Sequence, residues 1–231
     1  MPLPVLFSWS GGKDSAMALH ALLRDPAFEV VGLLTTVTEG YQRISMHGVR
    51  RELLHRQAES IGLPLEEVRI PPQCVNPVYE SRMGEAVLRF RGRGVLHVAF
   101  GDIFLEDLRA YREKKLSRAG MTALFPLWKV DTRELVWRFL HDGFRAITVC
   151  LDPAKLPSSF AGRELDSNFF SQLPADVDPC GENGEFHTFV FDGPIFRSPI
   201  PVLVGQVVER DSFVFCDLLP ATKGEHACSV K

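Results

Sequence analysis

Residues 3–15 read LPVLFSWSGGKDS, and this stretch decides the fold of the chain. An apolar run of strand length leads into a turn with two adjacent glycines, and the apolar residues Ala16, Leu19 and Leu22 then recur at helical spacing. The turn therefore precedes a helix N-terminus, where unpaired N–H groups and the helix dipole favour an anion. Because glycine has no Cβ, the backbone of such a turn can approach phosphate oxygens closely. We expect a phosphate-binding loop here.

The side chains of this loop suit the same ligand. Ser10 and Ser15 carry hydroxyl donors, Lys13 carries a mobile positive charge, and Asp14 could hold a Mg2+ ion that bridges phosphates. Phe7 stands where the GxxxxGK[ST] pattern has its first glycine, and the chain contains no GxGxxG. The hexapeptide instead resembles the PP-loop of the N-type ATP pyrophosphatases, which cleave ATP between its α and β phosphates. A Gly-Gly turn with an ordinary polar helix cap is the alternative. The resemblance assigns ATP binding to Ser10, Gly11, Gly12, Lys13, Asp14 and Ser15.

Composition limits the classes of protein. The 231 residues are 45% hydrophobic, which suits one large or two small domains. No stretch approaches the roughly 18 apolar residues of a membrane span, and no basic segment precedes a long apolar one, so we expect a soluble cytoplasmic protein without membrane contact. A net charge of −3 argues against general attraction to nucleic acid. We expect reduced thiols, since five cysteines occur without a CxxC pair: Cys74, Cys150, Cys180, Cys216 and Cys228.

Strand and helix patterns alternate through the first half of the chain. This alternation predicts βαβ units and a parallel sheet, with ligands beyond the carboxyl ends of the strands. Asn76 is predicted as a helix N-cap with Pro77 at the first helical position, and Asp131 as a second N-cap. The predicted strands are 29–37, 65–70 and 95–100, and the predicted helices are 50–61, 76–90, 106–119 and 131–142.

The pattern changes after Leu151. A proline-, serine- and asparagine-containing stretch follows, with a short helix possible near 166–173. Strands are predicted at 144–150, 188–191, 202–208 and 213–218, the last two joined by a turn at 209–211, and the residues from Ala221 onward are expected to fray. We therefore predict a second unit of mixed α/β structure.

Residues 181–188, GENGEFHT, form a second constellation. Glu182, Glu185 and His187 are crowded into one short loop with two glycines. From these residues alone, a solvated acidic loop and a substrate or metal site are equally open. The segment resembles the signature of the diphthine–ammonia ligase family and its bacterial relatives of unassigned substrate. Further matches follow in family order at 101–103, 125–128, 143–146 and 162–166.

The resemblance implies a fold and a site. The fold is α/β: a parallel-sheet, adenine nucleotide α-hydrolase-like (Rossmann-like) domain at 1–128, then a smaller mixed α/β substrate domain at 129–231. Further nucleotide contacts are expected at Leu34, Thr35, His47, Gly101 and Asp102, although a lone histidine such as His47 is more often structural or exposed. Mg2+ is expected at Asp14 and Asp102. The residues expected in catalysis are Lys13, Asp14, Glu182, Glu185 and His187.

The implied activity is that of an ATP-dependent carboxylate–ammonia ligase. Its members convert a carboxylate and ATP into an acyl-adenylate and pyrophosphate, and ammonia then displaces AMP. The expected ligands are ATP, Mg2+, ammonium and a carboxylate, either diphthine on elongation factor 2 or a small metabolite. The sequence leaves the choice of acceptor open.

Two other functions remain open at this point. A PP-loop tRNA-modifying enzyme would use basic residues clustered on two predicted helices, namely Arg82, Arg89, Arg91, Arg93, Arg109, Arg112, Lys114, Lys115 and Arg118, although solvated helix faces explain them better. A non-catalytic nucleotide-binding module would use the loop without turnover. A homo-oligomer is compatible with the sequence, which does not decide the oligomeric state.

Overall fold

A computed structural model describes residues 1–40, 43–44 and 48–222 of the chain. The ten strands are β1 (Leu3–Ser8), β2 (Phe28–Thr38), β3 (Arg43–Ile44), β4 (Leu65–Ile70), β5 (His97–Ala99), β6 (Thr122–Leu124), β7 (Arg145–Leu151), β8 (Phe186–Asp192), β9 (Val202–Arg210) and β10 (Phe213–Pro220) in the described residues. The six α-helices there are α1 (Lys13–Leu23), α2 (Arg51–Ile61), α3 (Asn76–Arg91), α4 (Glu106–Arg118), α5 (Thr132–His141) and α6 (Ser167–Ser171).

Two compact units divide the chain in a discontinuous way. The first contains residues 1–10, the described part of 14–45, and 63–129. The second contains residues 11–13 of the glycine loop, 48–62 with helix α2, and the described residues from 130 onward. The expected division between residues 128 and 129 therefore stays a prediction about the domains.

The first unit is built on a sheet whose five principal strands are parallel, in the order β4-β2-β1-β5-β6. The short β3 pairs antiparallel with Val37 and Thr38, beyond the last residue of β2 that pairs with β1. Because β1 connects to β2 on one side and has β5 on the other, the strand order reverses between β1 and β5. Ligands of open α/β sheets bind at such a switch point, beyond the carboxyl ends of the strands. The predicted α/β class with a Rossmann-like sheet is confirmed.

The core of the first unit explains the uninterrupted apolar runs. Val5, Leu6 and Phe7 of β1 are fully buried, as expected for a parallel strand with neighbours on both sides. One hydrophobic cluster joins Leu6 and Leu34 of the sheet to Phe90 of α3.

Local differences from the sequence prediction concern short elements and helix ends. Strand β6 was not predicted, because three residues carry too little pattern to be recognised; it exists through parallel pairing with β5. The N-cap of α3 is Val75, not Asn76, which is the first helical residue. Asp131 is the predicted N-cap of α5, and its carboxylate accepts from the N–H groups of Arg133 and Glu134 at 2.9 and 3.0 Å.

The second unit carries a four-stranded antiparallel sheet in the order β8-β7-β10-β9. All four strands were predicted: β8, β9 and β10 are longer than predicted, and β7 is shifted by one residue from the predicted 144–150. The turn between β9 and β10 lies at Asp211-Ser212 instead of 209–211, because Arg210 still pairs with Phe213 and both turn residues have positive φ. Within this unit, helix α2 is tied to the chain that follows β8, since Ser60 Oγ donates to the carbonyl of Ser198 at 2.6 Å.

None of the helices in the described ranges is both long enough and apolar enough to span a bilayer.

Candidate active site

The glycine loop follows β1 directly and leads into α1, as the sequence predicted. In the first unit, the hydroxyl oxygens of Ser10 and Ser15 lie 3.0 Å apart and share a hydrogen bond. Ser15 is buried and Asp14 is half-buried in the first turn of α1. Two hydroxyl groups and a carboxylate therefore surround the N-terminus of the helix at the carboxyl end of β1.

Gly101 packs against the backbone of α1 at this place. A Cβ on Gly101 would lie 2.9 Å from the amide nitrogen of Ser15 and 3.0 Å from the carbonyl carbon of Asp14. Only a residue without a side chain allows this approach between the segment after β5 and the start of α1. The structure thus brings together the two strand ends that the sequence assigned to the nucleotide.

Asp102 is engaged by Arg112 of α4. Nη2 of Arg112 donates to Oδ1 at 3.2 Å, and Nε lies 2.7 Å from Oδ2 as an ion pair without hydrogen-bond alignment. Burial raises the pKa of Asp102, the arginine opposes this, and the charge of Asp14 adds to it. Asp14 and Asp102 are therefore near enough to interact electrostatically.

The middle of the glycine loop is held by β8 of the second unit. The N–H of Lys13 donates to Thr188 Oγ1 at 3.0 Å, and the N–H of Val190 donates to the carbonyl of Gly11 at 2.9 Å. Thr188 is the last residue of the GENGEFHT segment. Two predicted constellations, far apart in sequence, are thus connected by direct hydrogen bonds within this unit.

Lys13 makes its side-chain contacts in the same unit. Its side chain is buried, its ammonium donates to the carbonyl of Cys180, and Nζ lies 5.7 Å from the centre of the Phe186 ring. Both partners flank residues 181–185. The lysine that sequence reasoning described as a mobile charge is therefore placed against the signature segment.

Glu185 occupies the centre of a hydrogen-bonded loop. Its carboxylate accepts from the N–H groups of Asp178 and Asn183 at 3.0 and 2.9 Å, and from Asn183 Nδ2 at 3.1 Å. Burial acts to raise the pKa of Glu185, but these donors outweigh it and the pKa lies below the ordinary value. The side chain is only 3% exposed, so this carboxylate organises its own loop.

Asp178 was not singled out from the sequence. Its carboxylate accepts from the N–H of Cys180 at 2.8 Å and from the Thr132 hydroxyl at 2.8 Å. It thereby fixes the residue whose carbonyl meets Lys13. No motif marks Asp178, which stands in an irregular stretch, so the local sequence gave no signal.

Glu182 and His187, the other two ionisable residues of the GENGEFHT segment, are both half-buried.

The structure describes two of the three residues expected to contact adenine, Leu34 and Thr35. Leu34 and Thr35 are buried inside β2, which continues to Thr38. The carbonyl of Leu34 accepts from the N–H of Trp9 at 2.8 Å. Thr35 is the first residue of β2 past the pairing with β1. His47 lies outside the described residues, and its assignment to the nucleotide stays a prediction.

No group of three or more His, Cys, Asp or Glu side chains within residues 1–40 and 48–222 is arranged to hold a metal ion. Mg2+ needs fewer protein ligands, since it is commonly held by one or two carboxylates together with substrate phosphates. The interacting carboxylates of Asp14 and Asp102 fit that requirement, with Arg112 competing for Asp102.

The basic residues on α3 and α4 are largely paired. Five of them form ion pairs inside the first unit: Arg82 with Glu39, Arg89 with Glu66, Arg109 with Glu113, Arg112 with Asp102, and Lys115 with Glu80. Partnered cations on exposed helices favour the interpretation as solvated faces over a nucleic-acid surface.

The fold and the site define an α/β protein with a helix-capping glycine loop at the switch point of a Rossmann-like sheet. Residues 4–123 match the family model of the diphthamide synthase N-terminal domain, and residues 131–218 match that of the C-terminal domain. The chain belongs to the diphthamide synthase family. The resemblance drawn from the two sequence segments is confirmed.

Curated relatives carry the name diphthine–ammonia ligase. The protein of Danio rerio is 29% identical over 93% of this chain and 92% of its own length, and that of Bos taurus is 26% identical over 89% and 85%. The protein of Schizosaccharomyces pombe is 28% identical over 94% of this chain, which spans only 39% of that longer relative.

Proposed function

We propose that this chain is an ATP-dependent ligase that joins ammonia to a carboxylate through an acyl-adenylate. The relatives' name states the joining of ammonia to diphthine, and diphthine is the first acceptor to consider. The observation that carries the proposal is the position of the glycine loop. The loop follows β1 at the switch point and leads into α1, and Gly101 packs closely against the start of α1.

The triphosphate is proposed to bind at the N-terminus of α1. Helix N–H groups and the Ser10 and Ser15 hydroxyls would donate to the phosphate oxygens, as the paired hydroxyls at 3.0 Å suggest. Asp14 and Asp102 are the residues that would hold Mg2+, which supplies neutralising charge to the leaving pyrophosphate when bound. Adenine contacts at Leu34, Thr35 and His47 remain part of this proposal.

In the first step, a carboxylate oxygen of the acceptor attacks the α-phosphorus. The bond from that phosphorus to the oxygen bridging to the β phosphate breaks, and pyrophosphate leaves. Lys13 is proposed to stabilise the negative charge that develops on the phosphate oxygens. It is a residue of the glycine loop, and its buried ammonium lies against Cys180 and Phe186.

In the second step, ammonia attacks the acyl carbon. The bond between that carbon and the bridging oxygen breaks, AMP leaves with this oxygen, and the attacking nitrogen loses a proton. Glu182 and His187 are proposed to bind ammonium and to accept the proton. Glu185 is proposed to act by holding the loop, since its carboxylate already accepts three hydrogen bonds from its neighbours.

An oxygen-transfer experiment tests this mechanism. The protein is incubated with ATP, Mg2+, ammonium and an acceptor whose carboxylate is labelled with 18O, either diphthine-bearing elongation factor 2 or a panel of small carboxylates. We expect AMP and pyrophosphate, with one labelled oxygen in AMP. Release of ADP and phosphate would refute the adenylate.

Matched variants and alternative ligands complete the test. Glu182→Gln should slow amide formation more than pyrophosphate release, because it acts in the second step. Gly84→Ala, at an open position in α3, serves as the control. Nucleotide binding without turnover of any acceptor would favour the non-catalytic module, and AMP release that requires tRNA would favour the RNA-modifying enzyme.

A further inference from the structure

Gln57 is a completely buried polar residue that the proposed reaction does not use. It lies on α2 among Leu53, Leu54 and Ala58, which are buried too, and its exposed fraction is 0%. The pattern of the helix places it on the apolar face. A buried amide without partners is costly, so its contacts indicate what it does.

The Gln57 amide bonds to the glycine loop and to β8. Nε2 donates to the carbonyl of Gly11 at 3.1 Å and to the carbonyl of Val190 at 2.6 Å. The carbonyl of Gly11 also accepts from the N–H of Val190 at 2.9 Å. Two donors from different elements therefore converge on one carbonyl of the loop.

This convergence fixes the orientation of the Gly11–Gly12 peptide. In a trans peptide the C=O of one residue and the N–H of the next point in opposite directions. With the Gly11 carbonyl directed at Gln57 and Val190, the N–H of Gly12 is directed away from β8. Glycine on both sides makes the rotation of this peptide unusually easy, because neither residue has a Cβ to restrict it.

A second attachment lies one residue further on. The N–H of Lys13 donates to Thr188 Oγ1 at 3.0 Å, two positions before Val190 on β8. The loop is thus held on both sides of Gly12. Gly11 also has φ of +79°, and a Cβ there would lie 2.8 Å from Gln57 Oε1, so the same glutamine packs against the position that requires glycine.

We propose that Gln57 is a positioning residue that holds the Gly11–Gly12 peptide with the Gly12 N–H turned towards the phosphates of the bound nucleotide. The inference rests on the proposed function, because it needs an anion at the loop. Gln57 itself touches no phosphate. It acts by setting the direction of the Gly11–Gly12 peptide dipole. Gln57 lies outside both the glycine loop and the GENGEFHT segment, so neither motif indicates this role.

The test uses two variants of Gln57 and one control. Gln57→Met keeps the length of the side chain and removes both donors, whereas Gln57→Glu places a carboxylate against two carbonyl oxygens. Thr148→Val is the control, because Thr148 is fully buried in the same unit and its hydroxyl has no hydrogen-bond partner among the described residues.

Binding of inorganic pyrophosphate and of AMP is measured by calorimetry on the full chain, and amide exchange at residues 11–13 by mass spectrometry. We expect Gln57→Met to weaken pyrophosphate binding about tenfold, the scale of one net hydrogen bond, and to speed exchange. Gln57→Glu should weaken pyrophosphate binding more. AMP binding should change less than twofold, and Thr148→Val should leave all three measurements unchanged.

The outcomes separate this inference from the proposed function. If the unaltered protein binds pyrophosphate and a folded Gln57→Met variant binds it equally well, the positioning role is wrong and the proposed function stands. If the unaltered protein binds neither pyrophosphate nor ATP, both are wrong. Equal weakening of AMP and pyrophosphate would also overturn the role, because it would indicate general loss of structure.

Discussion

Replacing Gly101 by alanine should separate the segment after β5 from the start of α1. The new Cβ would lie 2.9 Å from the Ser15 amide nitrogen and 3.0 Å from two further backbone atoms, whereas ordinary contact begins at 3.4 Å. The difference requires a displacement of at least 0.5 Å on one side. Because the atoms met are backbone, no side chain can rotate to relieve the contact.

The expected cost follows from this geometry. Overpacking of this kind costs about 1–3 kcal/mol. For a chain of 231 residues, each kcal/mol shifts Tm by about 2–4 °C, so Gly101→Ala should lower Tm by about 2–12 °C. Weaker ATP binding should accompany the shift, because the displaced segment adjoins Asp14 and Ser15 in the proposed phosphate site.

Gly84→Ala is the matched control for this measurement. Gly84 lies inside α3, and a Cβ there meets no atom within 4 Å. The same chemical change should therefore stabilise the protein by about 0.5–1 kcal/mol through helix propensity. Differential scanning calorimetry should therefore show a lower Tm for Gly101→Ala and a higher Tm for Gly84→Ala than for the unaltered protein. A Gly101→Ala variant that melts at or above the unaltered protein would refute the reasoning from backbone contact.

Three further predictions concern ionisable groups. Glu185→Gln should lower Tm by several degrees near pH 7, since hydrogen bonds to a charged group contribute about 1.5–3 kcal/mol. Because the pKa of Glu185 is lowered in the folded state, the difference in Tm between the variant and the unaltered protein should disappear as the pH falls below about 4. A difference in Tm that does not depend on pH would contradict this. Burial raises the pKa of Asp102, so the contribution of this carboxyl group to stability should decline as the pH rises above about 3.9. The Tm of Asp102→Asn relative to the unaltered protein should therefore increase as the pH rises from that value, and a difference that stays constant with pH would count against this effect of burial. Burial raises the pKa of Cys150 and of Cys216 to about 11, so neither thiol should react with iodoacetamide at pH 8 until the protein is unfolded, as peptide mass spectrometry would show; rapid labelling in the folded state would be inconsistent with that environment.

Features governed by neighbours in sequence were accessible from the sequence. The apolar run before the glycines predicts β1, and the Asp131 cap follows from donors two and three residues away. Strand β6 was missed because only its pairing with β5 makes three residues a strand. Local pattern therefore predicted the main elements, and short elements depended on their partners in the sheet.

The site divides in the same way. The residue types at 10–15 and 181–188 identify two chemically crowded segments, but they do not show what each side chain contacts. Glu185 is a residue type that often serves as a catalytic acid, yet its carboxylate oxygens accept hydrogen bonds from N–H groups of the same loop. Gln57 has the pattern of a core position, and its partners lie 46 and 133 residues away.

The sequence by itself determined the α/β class, the position of the glycine loop at a helix N-terminus, and the family to which the chain belongs. These depend on residue types and on local spacing along the chain. Only the tertiary structure decided that the Gly11 carbonyl is held by Gln57 and Val190 and that Lys13 meets Cys180. The physical reason is that such hydrogen bonds join residues distant in sequence, and their geometry exists only once strands and helices have packed.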